Sequence, residues 1–114
     1  MMRIGERRSN GASLRIEHFQ TPGLTDDDAK YIKQLTSLRT EPERRRLGDA
    51  RWLMCQTVLE ADRERTILIL EPNPDADSGL NKEQLIAWYR NFRFKVIQEG
   101  EGLITLMSRV PAGR

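Results

Sequence analysis

The sequence predicts a single mixed α/β domain, a mixed sheet with helices packed on it. Three observations carry this expectation. The run Thr66-Ile67-Leu68-Ile69-Leu70 is apolar on both alternating faces, the pattern of an interior strand. It stands between two stretches whose apolar residues recur at helical spacing. Two short alternating segments joined by Glu99-Gly100-Glu101-Gly102 then close the chain as a hairpin. With 114 residues the chain supplies one core and not two.

Residues 1–12 are polar, rich in arginine and punctuated by Gly5, Asn10 and Gly11, which predicts a flexible tail before a domain over 13–111. Residues 13–19 alternate, with Leu14, Ile16 and His18 opposed to Arg15, Glu17 and Phe19, and predict a strand. Thr25 followed by Asp26-Asp27-Asp28 has the form of a helix start, a cap with acids in the first turn. The residues beyond it fit both helical and strand spacing. A strand is expected over about 35–40, after a helical turn, and Pro42 ends it. From Asp49 to about Arg63, Ala50, Leu53, Met54, Thr57, Val58 and Ala61 line one helical face. A loop of Pro, Asn, Asp and Gly spans 72–79. A second helix is expected over 81–92, with Leu85, Trp88, Tyr89 and Phe92 on one side, then strands over 94–98 and 103–109.

Composition narrows the function. The 19 basic residues nearly balance 17 acidic ones, and the arginines gather in Arg7-Arg8 and in Arg44-Arg45-Arg46 with Arg51. Arginine forks suit phosphate and carboxylate, so an anionic ligand competes with a plain solvated face. The small net charge, and aromatics that lie in the helices rather than among the arginines, argue against a nucleic-acid partner. Cys55 and His18 are the sole cysteine and histidine, which leaves no disulfide, no cysteine-based metal site and no Cys–His nucleophile arrangement by spacing. Cys55 reads as a small buried hydrophobe. No apolar stretch is long enough for a membrane span, no signal segment is evident, and a cytoplasmic setting is expected.

The chemistry concentrates between the expected strand and the first long helix. A helix N-terminus presents unpaired N–H groups and a positive dipole end, which attract phosphate. Gly48 and Ala50 are small enough for close approach, and Arg45 and Arg46 add charged donors. By itself this is a generic anion site. The segment Arg45-Arg46-Leu47-Gly48-Asp49-Ala50 resembles the acetyl-CoA signature of the GNAT acyltransferases, Q/R-x-x-G-x-G/A, with Arg45, Gly48 and Ala50 in its defined positions. Leu38 and Pro42 stand in the family's usual arrangement before the arginine. Trp88-Tyr89-Arg90-Asn91-Phe92-Arg93-Phe94 resembles the pattern that ends a later family helix, and the elements over 35–111 come in the family's order.

The resemblance implies a truncated GNAT-like fold, acetyl-CoA as co-substrate, an amine acceptor on a protein or small molecule, and no metal. It places Leu38, Thr40, Arg45, Arg46, Leu47, Gly48, Asp49, Ala50 and Asn81 at the cofactor, with a backbone N–H near Thr40 polarising the thioester. Tyr89 matches the tyrosine that protonates the departing thiolate, although its residue pattern also suits an amphipathic core tyrosine. Glu41 and Glu71, at the ends of two splayed strands, are the candidate bases. Arg93 replaces a family glycine, so the backbone there is expected to avoid the left-handed region. The short N-terminal side suggests uncovered sheet edges and a homodimer. In size and pattern the chain is similar to small bacteriophage proteins. The alternative reading is a non-catalytic GNAT-like protein that docks on a host protein.

Overall fold

The computed structural model describes residues 1–40, 48–74 and 80–112. Six strands form one sheet: β1 (Gly5–Ser9), β2 (Ala12–His18), β3 (Ile32–Thr40), β4 (Ile67–Leu70), β5 (Lys95–Gln98) and β6 (Leu106–Arg109), in the order β1-β2-β3-β4-β6-β5. A one-turn helix α1 (Asp26–Ala29) precedes β3, α2 (Asp49–Arg63) connects β3 to β4, and α3 (Lys82–Arg90) precedes β5. The β3–β4 pair is parallel, as a helical crossover requires, and every other pairing is antiparallel.

Local sequence explains most of these elements. Thr25 caps α1, its Oγ1 accepting from the Asp28 N–H at 3.2 Å. Asn81 and Gln84 form a reciprocal capping box at the start of α3, with bonds of 2.8 and 2.9 Å. Gly48 starts α2 from a left-handed conformation, φ 86°, which glycine adopts without strain. The apolar face expected for α2 is buried at Leu53, Met54, Thr57, Val58 and Ala61, while Cys55 is only half-buried.

The first twelve residues correct an expectation. They are not a tail. Gly5–Ser9 pairs with β2 across a two-residue Asn10-Gly11 turn, with Asn10 left-handed at φ 51°. Asn-Gly between two pairing segments is a strong hairpin signal that the charged flanks obscured. Met2 is buried in the core, and Arg7 reaches Glu60 of α2 at 3.1 Å. Arg93 is the second correction. It sits at φ 73° despite its side chain, because the chain must reverse after α3 to bury Phe94.

The register assigns the faces of the sheet. Ile16 pairs with Leu35, Lys33 with Leu68, and Leu68 with Arg109, so these side chains share one face. Leu14, Ile16, Leu35, Leu68, Leu70 and Met107 join the inward residues of α2 and α3 in one core cluster. Two buried cations lie on this face. Arg109 forks onto Asp62 at 2.7 and 3.1 Å and donates its Nε to the Phe92 carbonyl at 2.7 Å. That fork, with the Ala112 N–H, holds the Asp62 carboxyl below its usual range. Lys33 donates to the Ala29 and Lys30 carbonyls, and burial lowers its ammonium pKa. The opposite face carries Arg15, Glu17, Gln34 and Thr36, and neither α2 nor α3 covers it.

Candidate functional site

The two parallel strands part company soon after they meet. β3 pairs with β4 only from Ile32 to Gln34, and Leu35 onward has no β4 partner. A bulge sharpens the divergence. Ser13 faces Arg39 and Arg15 faces Thr36, so β3 carries one residue more than β2 there, and Ser37 sits at φ 57°. An extra residue bends its strand and interrupts the ladder locally. The result is a cleft of about 360 Å³ lined by Gln34, Leu35, Thr36, Ser37, Leu38 and Arg39 on one side and Glu71, Asn73 and Pro74 on the other. Backbone polar groups that a flat sheet would pair along β3 therefore line the cleft.

Tyr89 closes this cleft from α3. The ring is wedged edge-on between Trp88 and Phe94, with centroids at 5.3 and 5.7 Å. The residue is 5% exposed. Burial raises its phenol pKa to about 12, so the hydroxyl keeps its proton across the neutral range. In this geometry Tyr89 belongs to the core cluster and also lines the cleft.

The remaining expected residues divide into three groups. Leu38 and Glu71 line the cleft, and Glu71 is exposed there. Thr40 ends β3, opposite Ala12 and beyond the bulge, so the irregularity in the strand lies at Ser37–Leu38, ahead of the Thr40 region that the family pattern indicated. Gly48 and Ala50 stand at the start of α2, and among the described residues a Cβ built on Gly48 meets no atom within 4 Å. The Asp49 carboxylate accepts from the Gly11 N–H at 3.2 Å and so braces the first hairpin. Asn81 spends its Oδ1 on the α3 cap and does not line the cleft. Glu41, Arg45, Arg46 and Leu47 lie outside the described residues.

Sequence reasoning missed Thr36 in the cleft wall and its partner Glu17 on the neighbouring strand. The Thr36 Oγ1 donates to Glu17 Oε2 at 2.7 Å. No spacing rule announces a pair separated by 19 positions on different strands. A larger depression of about 540 Å³ lies beside His18, Leu24 and Lys33. Its buried cation already serves the α1 carbonyls, whereas the smaller cleft gathers a phenol, a hydroxyl, a carboxylate and unpaired strand backbone. Among the described residues no cluster of three or more His, Cys, Asp or Glu is placed to hold a metal, and no helix is long and apolar enough to cross a membrane.

A sheet whose central parallel strands diverge next to a helix N-terminus defines an acyl-CoA N-acyltransferase fold of the GNAT type, and solved structures match it. The anti-CRISPR protein AcrVA5 superposes with a TM-score of 0.63 at 17% identity, over 92% of this chain and 98% of its own. YhbS of Escherichia coli, a GNAT-family N-acetyltransferase solved with CoA, gives 0.63 at 13% identity, over 90% of this chain and 52% of its own. The yncA protein of Salmonella typhimurium, a proposed acetyltransferase solved with its cofactor acetyl-CoA, gives 0.58 at 14%, over 91% and 60%. The chain thus spans about half to three-fifths of the two bacterial transferases and nearly all of AcrVA5. No family model matches the chain, and no curated protein matches it.

Proposed function

We propose that this protein is an N-acetyltransferase that moves the acetyl group of acetyl-CoA to a primary amine. The observation that carries this reading is the cleft itself: diverging parallel strands, Tyr89 within it, and the glycine-led start of α2 after β3. The neighbours solved with CoA or acetyl-CoA support it. In this reading the N–H groups at the start of α2, with Arg45 and Arg46, hold the pyrophosphate. Strand backbone left unpaired around the Ser37 bulge polarises the thioester carbonyl, an oxyanion-type contribution.

The amine nitrogen bonds to the acetyl carbon as the carbon–sulfur bond breaks. Tyr89 donates to the sulfur as negative charge builds on it, and its proton is replaced from solvent. A phenol near 12 is a weak acid for this task, since a free thiol sits near 8.5 and the gap of about 3.5 units is roughly 5 kcal/mol. The same dry walls that raise the phenol also raise a thiol held against them, which narrows the gap. Glu71, exposed at the cleft, attracts the cationic acceptor and takes up the ammonium proton before attack.

Calorimetric titration with acetyl-CoA tests the reading. Gly48→Glu places a carboxylate where the pyrophosphate is expected, and Gly48→Ala shares the left-handed backbone strain without the charge. Binding is expected in wild type and Gly48→Ala and lost in Gly48→Glu; equal affinity in all three refutes the site. A second reading, a GNAT-shaped protein that docks on another protein, is favoured by the near-complete overlap with AcrVA5 and by exposed Ile97, Leu103, Ile104 and Val110 near the last hairpin. Acetyl-CoA binding without thiol release on any amine supports that alternative.

A further inference from the structure

The cleft lies between two strands of one sheet, and its lining draws on residues of both faces. Tyr89 comes from α3, whose buried residues share the core face with Leu35 and Leu68. Thr36 and Glu17 belong to the other face. Glu17 pairs with Gln34 and Thr36 with Arg15, each one position removed from the buried Ile16–Leu35 pair. Acyl transfer places the nucleophile and the leaving group in different directions from the reacting carbon. A proton donor on the helix face therefore calls for a proton acceptor on the other.

We infer that the Thr36 hydroxyl and the Glu17 carboxylate form that acceptor, a two-member relay that removes the amine proton during attack. This rests on the acetyl-transfer reading above. The hydroxyl already donates to Glu17 Oε2 at 2.7 Å, which fixes its rotor and leaves its lone pairs for an N–H donor in the cleft. As the nitrogen–carbon bond forms, the amine proton moves to Thr36 Oγ1, and the proton of Thr36 moves to Glu17. Glu17 is half-buried, so it returns the proton to water after release of the amide. Thr36 is the group that touches substrate, and Glu17 is a positioning residue that acts through it. Glu71 differs from both: it is solvent-exposed and belongs to ammonium capture.

The charged groups near Glu17 on this face are few among the described residues. Arg15 stands two positions along β2, and Glu6 and Arg8 lie on β1 beyond it. On β3 the nearest facing groups are the neutral Gln34 and Thr36, and farther along the cationic Arg39, opposite Ser13, also lines the cleft. From β4, Ile69 is the residue beside Gln34, and it is apolar.

Steady-state thiol release from acetyl-CoA, with spermine, lysine amide and poly-lysine as acceptor probes, tests the relay. Calorimetry with acetyl-CoA runs on the same preparations. Glu17→Gln and Thr36→Val are each expected to lower kcat by about 10²-fold without changing acetyl-CoA affinity. The double variant is expected to be no slower than either single one, because both break one path. Thr36→Ser keeps the hydroxyl and should stay within about threefold of wild type. Glu71→Gln should instead raise KM for the amine by more than it lowers kcat. Multiplicative losses in the double variant, or wild-type kcat in Glu17→Gln, overturn the relay. Wild-type binding of acetyl-CoA without thiol release on any probe also overturns it and leaves the cofactor site standing, whereas absent binding refutes the function itself.

Discussion

Replacing Tyr89 by phenylalanine removes one oxygen from a residue that is 5% exposed, and its consequences divide by pH. The phenol is raised from 10.0 to about 12 by burial. Between those values the unfolded chain sheds the proton and the folded chain keeps it. Linkage then makes stability fall as pH rises, with the contribution intact below 10 and lost through 12. With these two pKa values the wild type loses about 1.4 kcal/mol relative to Tyr89→Phe by pH 11, and about 2.3 by pH 12. At neutral pH the ring still packs between Trp88 and Phe94, so the substitution should cost less than about 1.5 kcal/mol. Urea titrations of both proteins at pH 8, 10 and 11 read this directly. A 1.4 kcal/mol change moves the midpoint by roughly 1 M at an m-value of 1–2 kcal/mol/M. Parallel stability curves from pH 8 to 11, within 0.5 kcal/mol, would refute a buried phenol. The same variant should bind acetyl-CoA normally and turn over about 10²-fold more slowly, and unchanged turnover would remove Tyr89 from the reaction.

Two further predictions concern the frame around the cleft. Asp62→Asn leaves the Arg109 guanidinium buried without its counter-charge, and about 2–4 kcal/mol of stability should be lost at pH 7 in chemical denaturation. In the wild type the depressed Asp62 carboxyl contributes stability above the ordinary carboxylate pKa near 4, and this is lost as pH falls through its folded value. A pH-independent difference between wild type and Asp62→Asn from pH 7 to pH 2 would contradict that linkage. Arg93→Gly relieves a left-handed conformation at φ 73° and should raise stability by about 0.5–1 kcal/mol, after the entropy glycine adds to the unfolded chain. A loss of more than 1 kcal/mol would mean that the Arg93 side chain matters more than its backbone.

Much of this architecture was legible in local pattern. The helix over Asp49–Arg63, the apolar strand before Leu70, the Thr25 cap and the aromatic face of α3 follow from periodicity and capping chemistry, which act over a few residues. Gly48 was expected as a small residue for close approach, and its left-handed φ of 86° gives a separate backbone reason for glycine there. The first hairpin was legible in principle through Asn10-Gly11, but Arg7 and Arg8 masked it. An edge strand can be charged throughout when its side chains reach solvent or, like Arg7, a glutamate on a neighbouring helix.

The cleft belongs to tertiary structure. Its width depends on where β3 stops pairing with β4 and on the extra residue near Ser37, and both are properties of register between segments distant in sequence. Left-handed Arg93 likewise has no local cause: the need to bury Phe94 outweighs a backbone preference of about 1 kcal/mol. The Thr36–Glu17 bond is the clearest case. Neither residue carries a motif, and only the pairing of β2 with β3 sets them diagonally on one face, with Thr36 in the cleft wall on the side away from α3. Sequence alone determined which chemical groups are present and which segments are helix or strand, because those preferences are local. The folded sheet decided which groups meet, because a one-residue shift in pairing would turn each side chain to the other face.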